Sequence, residues 1–149
     1  MLIYLIRHAK AGERLSLNAG DLERELTRSG KAQARDIAAF LPPSNLRRIV
    51  SSPYLRCLQT MEPTSQALSI KIEMDKRLGE VTSVRSLEKL LEAISLARTD
   101  TALCSHGNVV PTLLKLLGVY TMETMLCQKG SIYVVDTMAL TATYHPTPS

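Results

Sequence analysis

Aromatic side chains are scarce in this chain, which has no tryptophan, one phenylalanine and five tyrosines among 149 residues. Nucleic-acid binders set aromatic rings among clustered cations so that bases stack on them, and here the basic residues are scattered. The net charge of +4 suits an anionic ligand but is poor evidence for DNA or RNA. Long hydrophobic runs are also missing. No segment approaches the roughly 20 uninterrupted apolar residues of a membrane span, and the amino terminus has no basic region followed by a long apolar one. A soluble, cytoplasmic protein without a membrane partner is expected. Cysteine is sparse too. Cys57, Cys104 and Cys127 are odd in number and widely spaced, which suggests neither a disulfide framework nor a zinc knuckle, and the three histidines follow no zinc-motif spacing.

What is present is a 45% apolar composition over a length that suits one compact domain, residues 1–149. Short β-rich runs alternate with longer helical patterns, the pattern of an α/β domain around a largely parallel sheet. "LIYLI" reads as the first strand. After a polar loop, Thr27 is placed to cap a helix with Ala34, Ile37, Ala38 and Leu41 on one face, ended by Pro42 and Pro43. "LRRIVSSP" predicts a second strand, with Arg47 and Arg48 at its start and at least one of them exposed. Pro53 is expected at the first position of the helix "YLRCLQTMEPTSQAL", which Pro63 should end or kink. "IKIEM" predicts a third strand, and Leu87, Leu90, Leu91 and Ile94 form the core face of the next helix. "TALCSH" repeats the design of the opening and leads into "NVVPTLLKLLG", where Pro111 falls near the first turn of a helix. "SIYVVDT" and "ALTATYH" close the chain as a strand pair, and the tail from Pro146 should fray.

Chemistry should gather at the carboxyl ends of the strands. The first strand runs into Arg7 and His8, the second leads through "SSPYLR" to Arg56, and another ends on His106 and Gly107. Two arginines and two histidines thus reach one sheet edge from three segments. The helix after Gly107 should add free N–H groups and the positive end of its dipole, which suits a dianion such as phosphate. Bidentate arginines match phosphoryl oxygens better than lysines do.

"LIRHAKA", "LTRSG", "VSSPYLRCLQT" and "CSHGN" resemble, in order, the motifs of the histidine phosphatase (phosphoglycerate mutase-like) superfamily, and the short length resembles its SixA-type phosphohistidine phosphatases. The match runs from Leu2 to about Tyr144. The resemblance implies a three-layer α/β/α sandwich, a nucleophile at His8, and a phosphate clamp of Arg7, Arg56 and His106 with Gly107. It implies no cofactor and no metal. A Leu-x-Glu pattern in the superfamily's ester-cleaving members corresponds here to Leu78, Gly79 and Glu80, which makes Glu80 a candidate general acid.

Two substrate classes follow. A protein phosphohistidine is favoured, because no large capping insertion closes the pocket; a small phosphate ester such as a sugar phosphate is the alternative. A third reading is a noncatalytic phosphate-binding module, which the intact Arg7, His8, Arg56 and His106 argue against. Small Ala9 is expected to leave room for the phosphoryl group. "SSP" should form a helix entry that positions Arg56, and "LTRSG" a helix cap with Gly30 allowing close packing. His145 is expected to be structural or exposed. Neither Cys57 nor Cys104 has an arginine shortly downstream, which excludes a cysteine phosphatase loop. "SGKA" fails as a nucleotide phosphate loop, since Glu25 stands at the first required glycine and Ala32 at the hydroxyl position.

Overall fold

In a computed structural model, residues 1–13, 20–120 and 126–147 are described. Among them are β1 (Leu2–Arg7), α1 (Arg28–Phe40), β2 (Leu46–Ser51), α2 (Leu55–Leu68), β3 (Ile72–Met74), a single 3₁₀ turn (Lys76–Leu78), α3 (Val84–Ala97), β4 (Asp100–Ser105), α4 (Val110–Leu116), β5 (Ile132–Asp136) and β6 (Thr141–His145). The polar loop expected after β1 and the expected fraying fall partly on 14–19 and 148–149, outside the described residues. The sheet order is β3-β2-β4-β1-β5-β6. Its first four strands are mutually parallel, while β5 pairs antiparallel with β1 and β6 antiparallel with β5.

The central strand β1 is buried on both faces, which explains its unbroken apolar run. Side chains alternate across a strand, so Ile3 and Leu5 join Leu87, Leu90 and Ile94 of α3 and Leu113 and Leu114 of α4 on one side. Tyr4 and Ile6 join Ile37 of α1 and Cys57 and Met61 of α2 on the other. Two cores with helices on both faces make the three-layer α/β/α sandwich. No helix among the described residues is long and apolar enough to cross a membrane.

Helix ends follow local chemistry. Thr27 Oγ1 accepts the Gly30 N–H at 3.1 Å to start α1, and Leu41 is extended (ψ 135°) ahead of Pro42. Ser83 Oγ accepts the Ser86 N–H at 3.1 Å to start α3. Pro53 departs from expectation, and of the two outcomes expected at Pro63 the end of the helix is not what occurs. Pro53 is not the first helical residue: α2 opens at Leu55, because Tyr54 is extended (ψ 134°) and its N–H donates to Ser52 Oγ at 3.3 Å. Arg56 therefore sits in the first turn. Nor does Pro63 end α2, which continues to Leu68 with Met61 and Thr64 fully buried on either side of it, so that packing outweighs the missing N–H. Arg48 is half-buried and pairs with Glu73 on the neighbouring strand at 2.7 Å, and Arg47 is exposed. His145 packs its ring on Phe40, centroids 4.6 Å apart.

Candidate active site

Parallel pairing puts Arg7 opposite Ser105, so the residues that follow, His8 and His106, leave the sheet side by side. The His8 N–H donates to the Ser105 carbonyl at 3.0 Å, and the two imidazole rings meet edge to face with centroids 5.5 Å apart. The Gly130 N–H donates to the carbonyls of both Arg7 and His8, at 3.1 and 3.0 Å. The end of β1 is therefore fixed from both neighbouring strands.

His8 is 5% exposed and its Nδ1 lies 2.8 Å from the Ala9 carbonyl. A carbonyl only accepts, so Nδ1 carries the hydrogen and Nε2 keeps its lone pair. Burial lowers the ring's pKa from 6.5 to about 3, helped by the charges of Arg56, His106 and Arg7 and opposed by the Ala9 bond. Facing that lone pair is Arg56, whose Nε lies 3.3 Å from His8 Nε2.

Arg56 is wholly buried, and a buried guanidinium needs partners on every side. Its Nη1 donates to the Asp21 carbonyl at 2.9 Å and its Nη2 to Glu80 Oε2 at 3.1 Å, with Asp21 Oδ2 at 3.5 Å. The guanidinium also lies over the Tyr54 ring, 4.8 Å from its centroid. His106, 2% exposed, is held by Ser52 Oγ at 2.9 Å from Nε2, while Nδ1 faces Arg56 Nη2 at 3.5 Å. Glu80 follows the 3₁₀ turn, which Ser105 Oγ anchors through the Leu78 carbonyl, and the Glu80 carbonyl accepts from Asn108 Nδ2 at 2.8 Å.

Arg7 reaches across to the Cys127 carbonyl through Nη1 at 2.5 Å, and its buried Nε has no hydrogen-bond partner among the described residues. Its guanidinium lies flat on Gly107, where an added Cβ would fall 2.8 Å from Arg7 Cζ. Only glycine permits that approach. Thus Arg7, His8, Arg56, His106, Gly107 and Glu80 all converge.

One expectation needs refinement and one correction. The helix expected after Gly107 is α4, which begins at Val110 behind a turn at 106–109 in which the N–H groups of Val109 and Val110 both return to the His106 carbonyl. Ala9 does not line the cavity. Its methyl packs with Ala11, Leu26 and Ala34, and its contribution is the carbonyl that orients His8. Sequence reasoning missed Asp21 and Tyr54, and it treated Ser52 as part of a helix entry only. Neither the bond of Ser52 to His106 nor that of Asp21 to Arg56 has a local sequence signal.

Above His8 and His106 opens a cavity of about 780 Å³ whose wall carries four cations, Arg7, Lys10, Arg24 and Lys129, against two carboxylates, Glu13 and Glu80. Arg24 is tied to Asp21 at 3.2 Å and to the Gly12 carbonyl at 2.7 Å.

The family model for the histidine phosphatase superfamily (branch 1) matches residues 3–89. An 8-oxo-(d)GTP phosphatase of Mycolicibacterium smegmatis is 28% identical over 140 residues, 90% of this chain but 44% of that protein, so the chain spans less than half of that relative's length. Among solved structures, the protein histidine phosphatase SixA in complex with tungstate superposes with a TM-score of 0.78 at 23% identity, covering 99% of this chain and 97% of that one. A mycobacterial glucosyl-3-phosphoglycerate phosphatase in complex with VO3 gives a TM-score of 0.75 at 16% identity, covering 96% of each chain. With the family model spanning more than half of its length, this chain belongs to branch 1 of the histidine phosphatase superfamily.

Proposed function

We propose that the protein is a phosphohydrolase that moves a phosphoryl group from its substrate to His8 and then to water. The observation that carries this reading is the 2.8 Å contact of His8 Nδ1 with the Ala9 carbonyl, which leaves the Nε2 lone pair as a nucleophile among three cationic or hydrogen-bonding groups. With its pKa near 3, His8 is neutral at physiological pH and ready to attack.

In the free site Arg56 Nε–H donates to that lone pair. As Nε2 turns to the incoming phosphorus, the N–H is released to a phosphoryl oxygen, so that attack and charge neutralisation occur together. Arg7 and His106 complete the clamp on the equatorial oxygens, and Gly107 leaves the space in which Arg7 lies. The bond from phosphorus to the leaving group breaks while the Nε2–P bond forms. Water then attacks phosphorus, the Nε2–P electron pair returns to the ring, and phosphate leaves. Glu80, held at the site by Arg56, is the candidate donor of a proton to an ester leaving group and the candidate acceptor of the water proton in the second step.

A protein phosphohistidine as substrate is supported by the likeness in fold and length to SixA. The cation-rich cavity and the relative named 8-oxo-(d)GTP phosphatase support a second reading, a small phosphorylated molecule. Phosphate release from a phosphohistidine peptide and a panel of small phosphate compounds, with His8→Ala alongside, tests the proposal. Turnover that His8→Ala loses by a factor of about 1,000 or more is the expected result; turnover that survives the substitution would overturn it. Glu80→Gln assigns the acid. Rates on esters should fall about 100-fold with little change on phosphohistidine, whose imidazole leaves more easily. Unchanged ester rates would remove Glu80 from that role.

A further inference from the structure

The Ala9 carbonyl that holds the hydrogen on His8 Nδ1 belongs to a peptide unit with a second hydrogen-bonding group, the Lys10 N–H. Gln33 Oε1, from the second turn of α1, accepts that N–H at 2.9 Å. An N–H only donates, so the Gln33 amide presents its oxygen and not its nitrogen. The Ala9–Lys10 bond is trans, and in a trans peptide the C=O and N–H point in opposite directions within one plane. Drawing the N–H toward Gln33 therefore aims the carbonyl at the imidazole, where it lies 2.8 Å from Nδ1. A single line of bonds runs from Gln33 Oε1 through this peptide unit to the nucleophile ring.

The flanking peptide units are held as well. The Ala9 N–H donates to Thr60 Oγ1 at 2.9 Å, and the Lys10 carbonyl accepts from the Thr27 N–H and Thr27 Oγ1 at 2.9 and 3.2 Å. Gln33 is itself held. It is half-buried and lies along Gly130, where an added Cβ would fall 3.2 Å from its Oε1 and 3.5 Å from its Cβ. The Gly130 N–H is bound in turn to the carbonyls of Arg7 and His8. The glutamine is thus packed between Lys10 and Gly130, the residues that flank the end of β1.

A neutral imidazole carries its hydrogen on one nitrogen and its lone pair on the other, and the partner of one nitrogen decides the state of both. Only the Nδ1–H form leaves Nε2 a pair with which to bond phosphorus while the bond from phosphorus to the leaving group breaks. Without Gln33 the peptide plane is free to rotate, and the carbonyl loses its aim.

We infer that Gln33 is a positioning residue for the reaction at His8: by holding the Lys10 N–H it aims the Ala9 carbonyl, keeps the hydrogen on Nδ1 and leaves the Nε2 lone pair available for attack. The inference rests on the His8 phosphohydrolase reading. Gln33 acts through one peptide unit and does not touch the reacting atoms.

The test uses the whole chain with Gln33→Met and Gln33→Ala, which remove the acceptor, and with Gln33→Glu, which keeps an acceptor oxygen at the same reach. Two readouts are taken: kcat and KM on a phosphohistidine peptide and on para-nitrophenyl phosphate, and the nitrogen NMR signals of the His8 ring at neutral pH, assigned against His8→Ala. Thermal melts verify folding. The wild type should show His8 as the Nδ1–H form. Gln33→Met and Gln33→Ala should lower kcat about tenfold, the effect of about one hydrogen bond, with KM changed less than about twofold. In both, part of the His8 hydrogen should move to Nε2, and Gln33→Glu should restore kcat and tautomer together. Unchanged kcat in the folded Met and Ala variants, a fall in kcat with His8 still wholly Nδ1–H, or a Glu variant as slow as the Met variant would each overturn the inference. Unfolding of both acceptor-free variants would do the same, since the role would then be structural. The NMR readout needs no substrate. A wild type inactive on every phosphate compound would remove the phosphohydrolase reading, while the ring signals would still decide whether Gln33 positions His8.

Discussion

At the scale of single residues, His8 is set by its surroundings more than by its own chemistry. A buried imidazole beside two guanidinium groups is held neutral, and the Ala9 carbonyl chooses which nitrogen bears the hydrogen. That state has a thermodynamic signature. Because the folded pKa of about 3 lies below the ordinary 6.5, the unfolded chain binds the extra proton between those values. His8 therefore imposes no proton penalty on folding above the upper value, and stability falls as pH drops through the window toward the lower one. The slope from this group reaches about 1 kcal/mol per pH unit. Urea melts across that window should show a steeper decline for the wild type than for His8→Asn, and equal slopes would show that His8 is not buried as a neutral ring. Arg56 illustrates the complementary case, a charge kept in the interior by Asp21 and Glu80.

At the scale of elements, two helices brace the segment that follows β1. α1 holds Lys10 through Thr27, Gly30 and Gln33, and α2 holds Ala9 through Thr60, whose Oγ1 accepts the Ala9 N–H at 2.9 Å. Gly30 is the tightest of these contacts. Gly30→Ala would force backbone apart at a contact of 1.9 Å, and a loss of about 1–3 kcal/mol in a denaturant melt is expected together with reduced turnover. A variant as stable and active as the wild type would show that α1 does not brace the nucleophile segment. The helix cap at Thr27 and the apolar face of α3 were legible because a cap and a 3.6-residue period are local properties. Pro53 misled for the opposite reason, since the Tyr54 N–H bond to Ser52 delays the start of α2, and the buried flanks of Pro63 carry that helix onward.

At the scale of the whole molecule, three separated segments meet at one sheet edge, and the chain order of strands does not reveal how close they come. Arg7, His8, Arg56 and His106 were legible because each ends or follows a strand with its own signature, and Glu80 because it follows Leu78 at a recognisable spacing. Asp21, which binds Arg56 from a loop, and Gln33, which holds the Lys10 N–H from α1, depend on tertiary placement that no local pattern encodes. In the proposed reaction His8 becomes covalently phosphorylated during turnover. Rapid-quench trapping with a labelled phosphate substrate, followed by peptide mass analysis under alkaline conditions, tests it most directly. An acid-labile phosphoryl group on His8, formed within the first turnover and missing from His8→Ala, is the predicted result. Steady phosphate release with no label on His8, or label on another residue, would contradict it.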